Sequence, residues 1–192
     1  MQINPLFEFT EWQQRAFAAA LLIRMWPNYK LFHESSGFGD AELLANQLDL
    51  VWQQLANRGF KFNLDVQLEK LEEMTPSAAD FDTFVVYPAL DFCSGMVCLL
   101  ENTEDKGINC AVELSRLSHN SVVAFLEMLH ISENGERPES SLLQEDPLVI
   151  WENEMQSAII ECIQNSPENK NTCQLLKGLV TEENLSNLGN PY

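Results

Sequence analysis

The chain has 192 residues, 45% of them apolar, which suits one globular domain with a single sizeable core. Lys and Arg number 11 against 29 Asp and Glu, a formal charge of −18. A field of that sign repels phosphate backbones and anionic lipid, so the expectation is a soluble cytoplasmic protein that binds neither nucleic acid nor membrane directly.

No basic stretch followed by an apolar run opens the sequence, so no leader peptide is expected. Residues 1–9 read as an N-terminal arm with Phe7 and Phe9 on the core. Thr10 and Gln13 have capping-box spacing and start a helix through FAAALLIRMW. Pro27 predicts its end at Trp26, because the residue before a proline disfavours helical backbone, and a short second helix from Pro27. Gly37-Phe38-Gly39-Asp40 reads as a tight turn, with Gly37 at a left-handed helix end and Asp40 as the next N-cap. Leu43, Leu44, Leu48, Val51, Trp52 and Leu55 recur at helical steps over residues 41–58, a helix ended by Gly59. Asn63 caps LDVQLEKLEEM, which stops at Thr75-Pro76.

The stretch Thr83–Leu100 carries one formal charge, Asp91, and its apolar residues fall on every side of a helix drawn over Pro88–Leu100. A helix apolar all round is buried all round, so this segment is the expected centre of the bundle. Pro88 divides the segment into a helical turn near Asp82–Tyr87 and a helix from Pro88 to Glu101; FVVY is the one strand candidate, and Gly95 beside Ser94 would let a neighbouring backbone come close. After a loop at residues 102–107, Val112 to Leu129 supply the apolar face of one long helix, or of two broken near His119-Asn120. SENGERPESS is an exposed loop; Asp146-Pro147 opens the next helix, and a last one covers about residues 172–180. From Glu182 the tail is expected to fray. The fold class expected is therefore all-α, one bundle of about seven to nine helices around a buried central helix.

The blocks LIRMWPNYKLFHESSGFGDAELL, LDLVWQQL, NLDVQLEKLEEMTPSAADFDTFVVYPALD and AVELSRLSHNSVVAFLEM resemble the YjaG-like proteins, the domain of unknown function 416 family of γ-proteobacteria. The likeness extends over roughly residues 10–180. It implies an all-α cytosolic bacterial protein, and it carries no activity and no catalytic residues across.

Candidate chemistry is sparse. Glu127 and His130 have the ExxH spacing of carboxylate-bridged metal sites, but such sites need a second motif that neither His33 nor His119 supplies. Asp40 at the helix cap would put a carboxylate where a phosphate should sit in the Gly37-Phe38-Gly39 turn. Five cysteines, Cys93, Cys98, Cys110, Cys162 and Cys173, lack CxxC spacing and read as reduced core thiols. Cys110 and His119, or Ser118-His119, lack a partner that would make a nucleophile. The Trp and Tyr residues look dispersed and structural. No metal, nucleotide or other cofactor is expected.

Asp91 is the strongest candidate. A carboxylate inside an apolar helix must be paired, hydrogen-bonded or protonated. Arg24, late in a core helix, is the expected partner. Asp91, Tyr87 and Arg24, with Asp40 at the rim, form the expected ligand-binding pocket. Three functional readings follow: a non-enzymatic binding or interaction domain whose partner is another protein or a second copy in a homodimer; a small-ligand sensor or enzyme using the Asp91 pocket; and an acidic mimic that occupies a basic, nucleic-acid-binding partner.

Overall fold

Ala16 to Leu22 are buried without exception, so over this stretch the first helix has no face left for solvent. The computed structural model describes residues 4–104 and 107–192. Its helices are α1 (Glu11–Ser36), α2 (Ala41–Ala56), α3 (Leu64–Met74), α4 (Val86–Glu101), α5 (Cys110–Asn134), α6 (Ser140–Gln144), α7 (Pro147–Gln164) and α8 (Lys170–Thr181). Short 3-10 turns cover Asn4–Glu8 and Ala78–Asp80. Among the described residues the one β feature is an isolated bridge between Leu185 and Pro191. The protein is an all-α bundle around a buried central helix.

That central helix is α1, not the segment 88–100. Helices α2, α4, α5, α7 and α8 all pack against it. The alanines Ala16, Ala18, Ala19 and Ala20 let neighbours approach from every direction, which a longer side chain would prevent. α4 is a wall: it buries Ala89, Phe92, Cys93, Met96 and Leu99 but exposes Tyr87 and Ser94 and half-exposes Leu90 and Asp91. At Gly95 the close approach comes from side chains, Leu22 and Leu114, rather than from a neighbour's backbone.

α1 runs straight through Pro27. Proline has no N–H to give the carbonyl four residues back, so the carbonyl of Ile23 should be orphaned. The Tyr192 hydroxyl donates to it at 3.1 Å, and the Asn187 amide donates to the next carbonyl, that of Arg24, at 3.2 Å. The segment expected to fray is thus a strap across the proline. Ser186, Asn187 and Leu188 are buried, and Leu188 completes a small second core with Val122 and Val149.

Other boundaries differ in smaller ways. Leu6, not Phe7, is the buried residue of the N-terminal arm, while Phe7 is 62% exposed; Phe9 is buried as expected. α2 ends at Asn57, before Gly59. FVVY leads into α4 and not into a strand; the helix expected from Pro88 to Glu101 starts two residues earlier, at Val86, with Pro88 in the first turn where its missing N–H is harmless. α5 is continuous through His119-Asn120 and reaches into SENGERPESS, closing on left-handed Gly135. Asp105 and Lys106 of the expected 102–107 loop, and residues 1–3 of the arm, lie outside the described residues. The caps at Thr10, Asp40, Asn63 and Asp146 form as the sequence predicts. Among the described residues no helix is long and apolar enough to cross a membrane.

The turn before α2 supports one prediction. Gly39 has φ +73°, and a Cβ there would lie 2.1 Å from the Tyr29 hydroxyl, which donates to the Met74 carbonyl at 2.7 Å. Gly39→Ala combines left-handed strain with a displaced buried hydrogen bond. We expect it to lower unfolding free energy by about 2–4 kcal/mol in urea titration. Gly37→Ala, with open space around its Cβ, should show the strain alone.

Candidate functional site

Arg24 is fully buried, as is the carboxylate it meets, but that carboxylate is Glu152 of α7, not Asp91. Glu152 also accepts from the Ser118 hydroxyl at 2.7 Å and from Gln156 Nε2 at 2.8 Å. Gln156 in turn accepts from Ser115 at 2.6 Å. Asn187 donates to Ser118 Oγ at 3.1 Å and accepts from Asn28 at 2.8 Å, and Asn190 donates to Asn28 at 2.9 Å. The Arg24 guanidinium lies 4.3 Å from the Trp151 ring centre. One polar network therefore ties α1, α5, α7 and the strap together. Its centre is sealed from solvent, Arg24 and Glu152 being fully buried, and it fixes the register of the helices, although Arg24 Nε and Nη2 lack a protein acceptor.

Asp91 is left with a different neighbourhood. It sits half-buried on α4, four residues after Tyr87, so the two share one face. Across the seam, the Ser121 hydroxyl of α5 faces the carboxyl without forming a well-aligned hydrogen bond. Burial raises the Asp91 carboxyl above the ordinary carboxylate range, and Ser121 offsets only part of that. Among the described residues no Lys, Arg or His pairs with it. The Phe84 ring lies tilted against those of Tyr87, 5.8 Å away, and Phe125 of α5, 6.0 Å away, centre to centre, so three aromatic rings bridge α4 and α5. Tyr87 is 53% exposed, so the seam opens on solvent. A carboxyl without a cation, set beside aromatic rings, is the pattern that recognises an ammonium or guanidinium group.

The unpaired carboxyl also makes a stability prediction. A carboxyl whose value is raised by folding opposes folding once ionised. The penalty is absent below the ordinary value of 3.8, appears as pH rises through it, and is complete above the folded value. Asp91→Asn should therefore raise Tm at pH 7 by roughly 2 °C or more, and the gain should vanish near pH 3. A melting series across that range checks both halves.

The remaining candidates are engaged elsewhere. Asp40 caps α2, accepting from the Leu43 amide at 3.0 Å. Glu127 pairs with Arg137, whose Nη2 lies 3.3 Å from Oε2, so the ExxH carboxylate is already in an ion pair. Among the described residues no group of three or more His, Cys, Asp or Glu is placed to hold a metal ion. The cysteines are free thiols; burial pushes Cys93 and Cys110 up to about 12 and Cys98 to about 11, so none of these three is an activated nucleophile. The Cys110 thiol neighbours Cys98, and His119 faces Asn153, so the pair considered in the sequence is not assembled. Glu152 was missed in the sequence although its signal was present: with Val149, Gln156, Ile159 and Ile163 it falls on the buried face of α7.

The molecule is thus an all-α bundle whose sealed polar core holds it together and whose α4–α5 seam is a candidate recognition surface. The chain belongs to the family described as Protein of unknown function (DUF416), whose model matches residues 3–190. It is 37% identical to the uncharacterized protein YjaG of Escherichia coli K12 over 93% of this chain and 90% of that one. It is 32% identical to an uncharacterized protein of Haemophilus influenzae over 97% and 96% of the two chains. A crystal structure of a DUF416 family protein from Shewanella baltica OS155 superposes with a TM-score of 0.91 at 33% identity, covering 100% of this chain and 99% of that one.

Proposed function

We propose that the chain is a non-enzymatic binding module whose α4–α5 seam receives a basic side chain of a protein partner. The observation that carries this reading is the Asp91 carboxyl: half-buried, without a cation among the described residues, and one helical turn after Tyr87, whose ring begins the series Tyr87, Phe84, Phe125. A lysine or arginine placed there would neutralise the carboxyl and lie against ring faces, each contact worth about 0.5–2 kcal/mol. The charge of −18 would steer such a partner in and would oppose both self-association and nucleic acid.

The test is an NMR titration with N-acetyl-lysinamide and N-acetyl-argininamide near physiological salt. Shifts centred on Tyr87, Asp91 and Phe125 are expected, with affinity reduced about tenfold or more in Asp91→Asn. Asp65→Asn on α3 is the charge-matched control. α3 exposes Asp65, Glu69, Glu72 and Glu73 along one face, and these support the acidic-mimic reading instead. If Asp65→Asn weakens binding as much as Asp91→Asn does, the diffuse field binds the cation and the seam is not the site.

A further inference from the structure

A concavity lies among α1, α2, α8 and the strap. Ile23 and Trp26 of α1, Ala45, Leu48 and Trp52 of α2, and Tyr192 of the strap wall a cavity of about 170 Å³. The sequence scattered Trp26, Trp52 and Tyr192 widely; the fold brings them to one place. Two of these walls are locked with their polar atoms already engaged: Trp26 Nε1 donates to the Ala41 carbonyl at 3.0 Å, and the Tyr192 hydroxyl to Ile23. What they offer the cavity is apolar. A dry cavity of about 150 Å³ accommodates one benzene ring, so the volume here suits one ring or one branched aliphatic chain.

Two charges complete the lining. Lys177 Nζ of α8 is 3.0 Å from Asp49 Oδ1 of α2, and both side chains are substantially exposed, at 40% and 51%. The ammonium also stands 5.2 Å from the Trp52 ring centre, so the pair is held directly against the aromatic wall. An exposed pair of this kind contributes about 0–1 kcal/mol and opens at little cost. Opened, it presents one anion and one cation side by side next to an apolar hole.

We infer that this pocket binds a free amino acid with an aliphatic or aromatic side chain, its ammonium on Asp49, its carboxylate on Lys177 and its side chain between Trp26, Trp52 and Tyr192. Neither charge alone matches the site as well as the zwitterion does, because a simple amine or acid would leave one member of the opened pair unpartnered. The proposal stands apart from the α4–α5 seam and does not depend on it.

Isothermal titration with L-leucine, L-phenylalanine and L-tryptophan tests it, with isoamylamine and 4-methylpentanoate as the two half-ligands of leucine. At least one amino acid should bind with a Kd below about 1 mM, and the half-ligands about tenfold or more weaker than leucine. Lys177→Met, which gives up only the exposed pair and the Trp52 contact and should leave the protein folded, should weaken amino-acid binding about tenfold, while Ala45→Phe should fill the cavity and abolish it. Asp91→Asn should leave it untouched. The inference is overturned if none of the three gives heat or a rise in Tm at about 5 mM, if the half-ligands bind as well as leucine, or if folded Lys177→Met binds like the parent protein.

Discussion

Glu152→Ala is expected to lower the free energy of unfolding by about 3–5 kcal/mol, close to the whole margin of many domains. The reason is what it leaves behind. Arg24 would remain fully buried as a cation whose Nε and Nη2 already lack a protein acceptor, and Ser118 and Gln156 would lose theirs. Replacing both charges, as Arg24→Met with Glu152→Leu, removes the stranded charge and should recover most of the loss. Urea titrations of the two single variants and the double complete the cycle. A single variant within about 1 kcal/mol of the parent protein would mean that the network is incidental to stability.

Removing residues 185–192 should be nearly as damaging, at about 3 kcal/mol or more. The deletion uncovers the Ile23 and Arg24 carbonyls, takes Asn187 and Asn190 from the polar network, and strips Leu188 from the small core over Val122 and Val149. Tyr192→Phe isolates one of these losses and should cost about 1 kcal/mol. Hydrogen exchange supplies the specific signature: amides just after Pro27 should exchange faster in the truncated chain, as the second half of α1 loosens. Unchanged protection there would show that the strap does not support the helix.

How far the sequence could be read follows from which forces are local. Caps and turns depend on neighbours in the chain, so Thr10-Gln13, Gly37-Asp40 and Asp146-Pro147 were legible. The interruption expected at Pro27 was a sound local inference, overruled by a tyrosine that lies 169 residues beyond Ile23, whose carbonyl it caps. The centre of the bundle was misplaced for a related reason. Apolar bulk marks α4, whereas what makes α1 central is small side chains that admit helices on all sides. At the candidate site, Asp91 and Tyr87 were legible because they share one helix face. Arg24 was rightly read as a buried cation but assigned the wrong acid, since pairing of α1 with α7 or α4 is a matter of packing that periodicity does not encode. Phe84, Ser121 and Phe125 joined the site only once α5 lay along α4.

The strap also has a consequence for the order in which the molecule can be completed. Translation adds roughly 5–20 residues per second, so on the order of ten seconds separate the synthesis of Ile23 from that of Tyr192. Throughout that interval the longest helix of the nascent chain has no donor for its Ile23 carbonyl, even where α2 and α4 already cover its second half. Closure of that gap is therefore a late, long-range event, and a nascent chain that has not yet reached Tyr192 should resemble the protein without residues 185–192.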